Sequence, residues 1–234
     1  MWEDLKARWP RETNPQPDRS GDDPGSWRGD SGRLLSASQN RRIDAWCDNV
    51  SDCEQRITQR LEEVERASPG QLVGKEYRIK GRDRLKDKAA MSLEAAPGSG
   101  LDRLLSNVPD AVRFTLQYDE HDYSAGVTAD IGYMKERGFE LVKLRNYWDS
   151  SEYKGINSQW RDAENGQRFE LQFHSQTSFE AKQITHSAYE RIRAGRTSEA
   201  EAGQLSSFQH RVSGIIPVPV GARDIPEFPP IGAS

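Results

Sequence analysis

Two alternating runs on either side of Asn165-Gly166 constrain this chain more than any other feature. Upstream lies Tyr153-Lys-Gly-Ile-Asn-Ser-Gln-Trp160, and downstream lies Arg168-Phe-Glu-Leu-Gln-Phe-His174. Runs of this kind read as two strands joined by a tight turn. Side chains alternate along a strand, so Glu170 and Gln172 share one face. A carboxylate beside an amide on a sheet face, preceded by a loop containing Gly155, is what a nucleotide-handling site needs.

The remaining elements arrange themselves around that hairpin. Residues 1–34 are rich in Pro, Gly, Ser, Asp and Arg and are expected to form a mobile lead. Helical marks begin near Ser36 with Ile43, Trp46 and Val50. They are expected to break near Asn49–Ser51 and resume after Ser51, an N-cap with Glu54 as its capping-box partner. Ile57, Leu61 and Val64 continue the stripe until Ser68-Pro69-Gly70 stops it. A short strand over 73–79, a helix carrying Leu85, Ala89 and Ala90, and a helical piece over 101–106 follow. Further strands are expected over 110–118 and 139–148, with helices over 127–137 and 178–194. Residues 201–234, densest in Pro after Ile215, are expected to be an extended tail. The order argues for an α+β fold, a mixed β-sheet covered by helices, over one domain at 35–200.

Bulk properties narrow the classes. Only 34% of the 234 residues are hydrophobic, so part of the chain lies outside any core. A net charge of −4 argues against a nonspecific nucleic-acid coat, while a local basic patch can still hold a triphosphate. No apolar run approaches a membrane span. Met1-Trp-Glu-Asp-Leu-Lys6 shows no signal-peptide pattern. Cys47 and Cys53 could bridge only if the helix breaks between them.

Pyrophosphoryl transfer asks for cations on phosphates, carboxylates on a metal ion, and a group that orients the attacking hydroxyl. Cations cluster at Arg78, Lys80, Arg84 and Lys88. If 73–79 is a strand, Arg78 and Lys80 share a face, and Lys88 lies one helical turn past Arg84. Asp110, opening a strand, and Glu170, within one, are the carboxylate candidates, and Arg113, three residues past Asp110, could pair with it or reach a phosphate. No Walker-type loop occurs.

Taken together, these motifs resemble the synthetase domain of the RelA/SpoT alarmone enzymes over roughly residues 70–195. Arg78-Ile-Lys80 with Arg84 and Lys88 looks like the donor-ATP element, Arg84 standing where many members carry Ser. Asp110-Ala-Val-Arg113 resembles the strand-opening Asp that coordinates Mg²⁺. Glu170-Leu-Gln172, with His186 on the next helix, is similar to the Glu-x-Gln strand. The resemblance implies a nucleotidyltransferase-like fold and ATP as donor. It implies a purine nucleotide as acceptor (AMP, ADP, ATP, GDP or GTP), and Mg²⁺ on Asp110 and Glu170. Acceptor contacts would come from Tyr153, Lys154, Gly155, Asn157, Gln172, His174 and His186.

Departures from the family pattern carry their own expectations. Many members follow the loop Gly with a Tyr that stacks on guanine, whereas Ile156 stands here. Base stacking is worth about 1–3 kcal/mol, so acceptor choice is expected to relax towards adenine unless Tyr153 or Trp160 substitutes. His174 replaces a family Arg, which weakens a phosphate contact or makes it pH-dependent. No hydrolase cluster is present, so the chain is similar to stand-alone synthetases, including exported ones of actinomycetes. That likeness favours a secreted mature form, with a cytoplasmic one as the alternative. Two further functions stay open: a toxin-type synthetase acting on the 3′ end of tRNA, and a non-catalytic nucleotide- or RNA-binding module.

Overall fold

The computed structural model describes residues 23–98, 100–193, 195 and 197–229. The first 22 residues of the expected lead and the last five of the tail lie outside these. The remainder of the lead is packed, not loose. Strands β1 (Trp27–Arg28) and β2 (Leu34–Leu35) pair antiparallel, Trp27 is buried, and its Nε1 donates to Asp83 at 2.8 Å. The Gly and Ser content that reads as disorder here builds the turn, where Gly32 has φ 83°.

Helix α1 (Ala37–Ala67) runs 31 residues without interruption. Ser36 and Gln39 form its capping box, and Ser36, not Ser51, is the N-cap. Ser51 instead donates from its hydroxyl to the Cys47 carbonyl at 3.0 Å. Ile43, Cys47, Val50, Glu54, Ile57, Leu61 and Val64 form one buried stripe, and burial of that stripe overrides the local breakers at 49–51. Cys47 and Cys53 therefore lie about 9 Å apart along one helix axis, and both are free thiols.

After the Ser68 C-cap come β3 (Gln71–Leu72) and a 3₁₀ turn, Lys75–Tyr77. The strand expected over 73–79 is reduced to these and an isolated bridge between Ile79 and Val112. Next are α2 (Arg82–Ala95), α3 (Leu101–Leu105) and a 3₁₀ turn, Pro109–Ala111. Then follow β4 (Arg113–Tyr118), α4 (Tyr123–Glu136), β5 (Phe139–Asn146), β6 (Ile156–Asp162) and β7 (Arg168–Ser175). Helices α5 (Gln176–Arg193) and α6 (Glu199–Gly214) close the fold.

The main sheet has the order β3-β4-β7-β6-β5, with β4 and β7 parallel and the other pairs antiparallel. This is the mixed, helix-covered sheet expected. Its two faces differ sharply. Phe114, Leu116, Ile156, Trp160, Phe169, Leu171 and Phe173 point into the core that α1 and α4 cover. Phe169 meets Phe114 and Phe139 edge-on, at ring separations of 6.3 and 5.0 Å. Burial of each such ring contributes about 2–3 kcal/mol. The opposite face is polar, and α5 lies over part of it.

The tail differs from its expected form. Residues 199–214 are helical because Ser198 caps at Glu201 and Leu205, Phe208 and Val212 recur at helical spacing, while the prolines begin only at Pro217. Those three pack against Ala181, Ile184 and Ala188 of α5 in a second small core. After Ile215 the chain has no α-helix among the described residues, only a 3₁₀ turn at Ala222–Asp224. Asn146 Nδ2 donates to the Ala222 and Ile225 carbonyls at 2.8 and 3.0 Å, and Leu144 bridges to Phe228. The β5 edge is thereby covered, which removes an open strand edge from solvent. No helix among the described residues is long and apolar enough to cross a membrane.

Candidate active site

The polar face is built in rows across three strands. Register places Arg113, Glu170 and Gln159 side by side, and Thr115, Gln172 and Asn157 in the next row. Paired residues share a face, so Glu170 and Gln172 share one as their alternation implies, and the register adds Arg113 and Asn157 to it. The Glu170 amide donates to the Val112 carbonyl at 2.9 Å, which seats the Pro109–Ala111 turn, and Asp110 with it, against the head of β7.

Asp110 is the focus of the cations. Lys80 Nζ donates to its Oδ2 at 2.6 Å, and Lys88 Nζ donates to its Oδ1. Burial would raise the Asp110 carboxyl, but the two lysines prevail and hold it at about 2. Burial also lowers the Lys80 ammonium against the pull of Asp110, with Lys88 and Arg113 adding to the fall. Two ammoniums thus meet one carboxylate just ahead of β4, and Arg113 and Glu170 are register neighbours at the adjoining ends of β4 and β7.

Arg78 is placed elsewhere. Its backbone is helical, so it does not alternate with Lys80 on a strand. Its guanidinium binds the buried Glu54 of α1 and the Lys75 carbonyl at 2.8 Å. Arg84 is exposed one turn before Lys88, close enough for its charge to lower the His186 imidazole. Burial is the larger cause of that lowering, and Arg113 and Lys182 add to it while Glu190 opposes.

The residues expected to contact an acceptor divide. Tyr153 donates or accepts through its hydroxyl at His174 Nε2, 2.9 Å away, and its ring stands edge-on to Tyr147 at 5.5 Å. Burial raises the Tyr153 phenol far above its ordinary value, and the nearby Glu170 charge adds to this. Lys154 Nζ donates to the Trp148 carbonyl at 2.8 Å, away from the Asp110 cluster. Gly155 takes φ 138°, and a Cβ there would sit 2.9 Å from the His174 ring, so both backbone and packing require glycine.

Of the two expectations for His174, a weakened phosphate contact or a pH-dependent one, its surroundings argue against the second. It is fully buried, its Nδ1 lies 2.9 Å from Ser178 Oγ, and burial pushes its pKa well down, so the ring is neutral and enclosed. Ile156 and Trp160 are also fully buried, on the apolar face. Trp160 therefore cannot stack on an acceptor base, and a ring at 156 would enter the core. The exposed ring at this rim is Tyr147, 40% exposed.

Lys182 escaped the sequence reading. From the second turn of α5 it donates to Gln172 Oε1, and Gln172 Nε2 donates to Glu170 Oε1 at 2.6 Å. Burial, with Arg113 adding and Glu170 opposing, brings its ammonium to about 8. Its position, ten residues past Gln172 on another element, leaves no local pattern to find it by. As metal ligands, Asp110 and Glu170 offer hard carboxylate oxygens, the donor type that suits Mg²⁺.

No protein-family model matches the chain, and no curated protein matches it at a significant level. Solved structures do. A Streptococcus mutans protein, smu.1046c, is 16% identical, with a TM-score of 0.50 over 74% of this chain and 89% of its own. A GTP pyrophosphokinase family protein from Streptococcus pneumoniae is 13% identical, with a TM-score of 0.49 over 77% of this chain and 91% of its own. Small alarmone synthetase 1 from Bacillus subtilis, bound to its product pppGpp, is 15% identical, with a TM-score of 0.46 over 76% and 90%. At 16% identity the first of these is a likeness of fold.

Proposed function

We propose that this chain is a Mg²⁺-dependent pyrophosphokinase that moves the β,γ-pyrophosphate of ATP to the 3′-hydroxyl of a purine nucleotide. The observation that carries the reading is the convergence of Lys80 and Lys88 on Asp110, beside the Arg113–Glu170 row. A pure binding site for phosphates gains nothing from carboxylates among its cations. A site that must hold both polyphosphate and a divalent ion needs both.

Entering phosphate oxygens would compete with Asp110 for Lys80 and Lys88, and the freed carboxylate oxygens would be those offered to a divalent ion. Asp110 and Glu170 would hold Mg²⁺, which would supply charge neutralisation on the phosphates. Lys80, Lys88, Arg113 and Arg84 bind and orient the donor. The acceptor 3′-oxygen then attacks the β-phosphorus, its proton passes to Glu170, and the α,β-bridging oxygen leaves with AMP. Gln172 and Asn157 support the acceptor from the neighbouring row. Arg78, tied to Glu54, serves the donor element as a brace.

Base choice is relaxed in this account. Ile156 lies in the core, and the rim offers the Tyr147–Tyr153 pair, whose edge-on packing leaves Tyr147 as a partial platform. Binding and turnover separate the catalytic reading from a regulatory module. In Glu170→Gln, ATP should still bind in calorimetry through the Lys80, Lys88 and Arg113 cations, while turnover falls at least about 100-fold. Unchanged turnover would remove Glu170 from the chemistry.

A further inference from the structure

Lys182 is poorly explained by folding alone. Its ammonium sits 5.4 Å from the centre of the Phe179 ring, with Gln172, a neutral group, as its hydrogen-bond acceptor. Arg113 opposes its charge and Glu170 favours it, and His186 lies one turn further along α5. A half-buried cation whose hydrogen-bond acceptor is neutral is a cost to stability.

The placement is nonetheless firmly built. His174 is gripped between Tyr153 and Ser178, and Phe179 packs on the His174 ring at 6.0 Å. Those contacts fix the first turn of α5 against β7, and Lys182 follows Ser178 by four residues, on the same side of the helix.

The consequence falls on Gln172. A side-chain amide has an oxygen end and a nitrogen end of nearly equal shape, and its neighbours decide which way it faces. An ammonium can only donate, so Lys182 takes Oε1 and turns Nε2 towards Glu170. The amide then donates to one carboxylate oxygen of Glu170 and leaves the other for chemistry. We propose that Lys182 is a positioning residue that fixes the Gln172 amide and, through it, the orientation of Glu170. The proposal rests on the role assigned to Glu170 above.

Lys182→Met keeps the stem and removes the donor, whereas Lys182→Arg keeps a donor. For Lys182→Met the thermal midpoint should be no lower than wild type. KM for ATP should stay within about twofold while kcat falls about 100-fold. Lys182→Arg should recover part of kcat. A lysine that merely supports the fold would lower midpoint and kcat together, and unchanged kcat would equally overturn the proposal. A readout independent of turnover is the Gln172 side-chain NH₂ pair in ¹⁵N-edited NMR. One of its protons should be protected from exchange in the wild type and lose that protection in Lys182→Met. Identical Gln172 signals in both proteins would sink the role of Lys182. A wild type without turnover would sink the pyrophosphokinase reading and leave the amide signal to decide Lys182.

Discussion

Replacing Asp110 by Asn tests the cation cluster quantitatively, because shape is kept and one charge is removed. The Asp110 carboxyl is held at about 2, against 3.8 when free, by hydrogen bonds from Lys80 and Lys88. Its side chain is only 17% exposed, so solvent screening is modest. A folded-state value below the unfolded one stabilises the protein above the unfolded pKa, and the effect fades as pH falls towards the folded one. The shift corresponds to about 2 kcal/mol at pH 7. About half should remain at pH 3, and little at pH 2. Urea unfolding of wild type and Asp110→Asn across pH 7 to 3 measures this as a gap that narrows with acid. Mg-ATP should raise the midpoint of the wild type and have far less effect on the variant. A gap that stays constant from pH 7 to 3 would refute the ion-pair account of this site, and so would no gap at pH 7.

Other perturbations probe the frame around it. Gly155→Ala forces a positive φ on alanine and drives a methyl into the His174 ring; it should cost about 1–3 kcal/mol in urea unfolding, whereas a neutral result would contradict the close approach. Ile156→Tyr should destabilise by about 1–3 kcal/mol through overpacking without raising preference for guanine acceptors. A stable variant newly selective for GDP or GTP would show that position 156 reaches the acceptor after all. Removal of the chain after Gly214 uncovers the β5 edge and should produce concentration-dependent association in analytical ultracentrifugation; a truncated protein that stays monomeric would mean that the edge needs no cover.

Much of the architecture was legible because it is written in short-range periodicity. The Asn165-Gly166 hairpin and the alternation that puts Glu170 with Gln172 both follow from spacing within a few residues, whereas the parallel pairing that sets Arg113 beside Glu170 joins distant segments and does not. Failures came where a distant partner decides. Ser51 and Glu54 look like a cap locally, yet Glu54 is the buried mate of Arg78, and the helix continues because its apolar stripe does. His174 stands in sequence where the family places a phosphate-binding Arg, and only the fold shows Tyr153, Ser178 and Gly155 closing around it. Trp27 anchors a stretch whose composition reads as disordered, through Asp83 on a helix more than fifty residues away. Lys182 was invisible for the same reason, since only the docking of α5 on β7 brings it to Gln172.

The central claim is the reaction itself. Purified protein with labelled ATP, Mg²⁺ and each of AMP, ADP, GDP and GTP should release AMP together with a 3′-pyrophosphorylated acceptor identified by mass spectrometry, with adenine acceptors used at least as well as guanine ones. Release of ADP in place of AMP, or no transfer to any of these acceptors or to tRNA, would contradict the assignment of this site to pyrophosphoryl transfer.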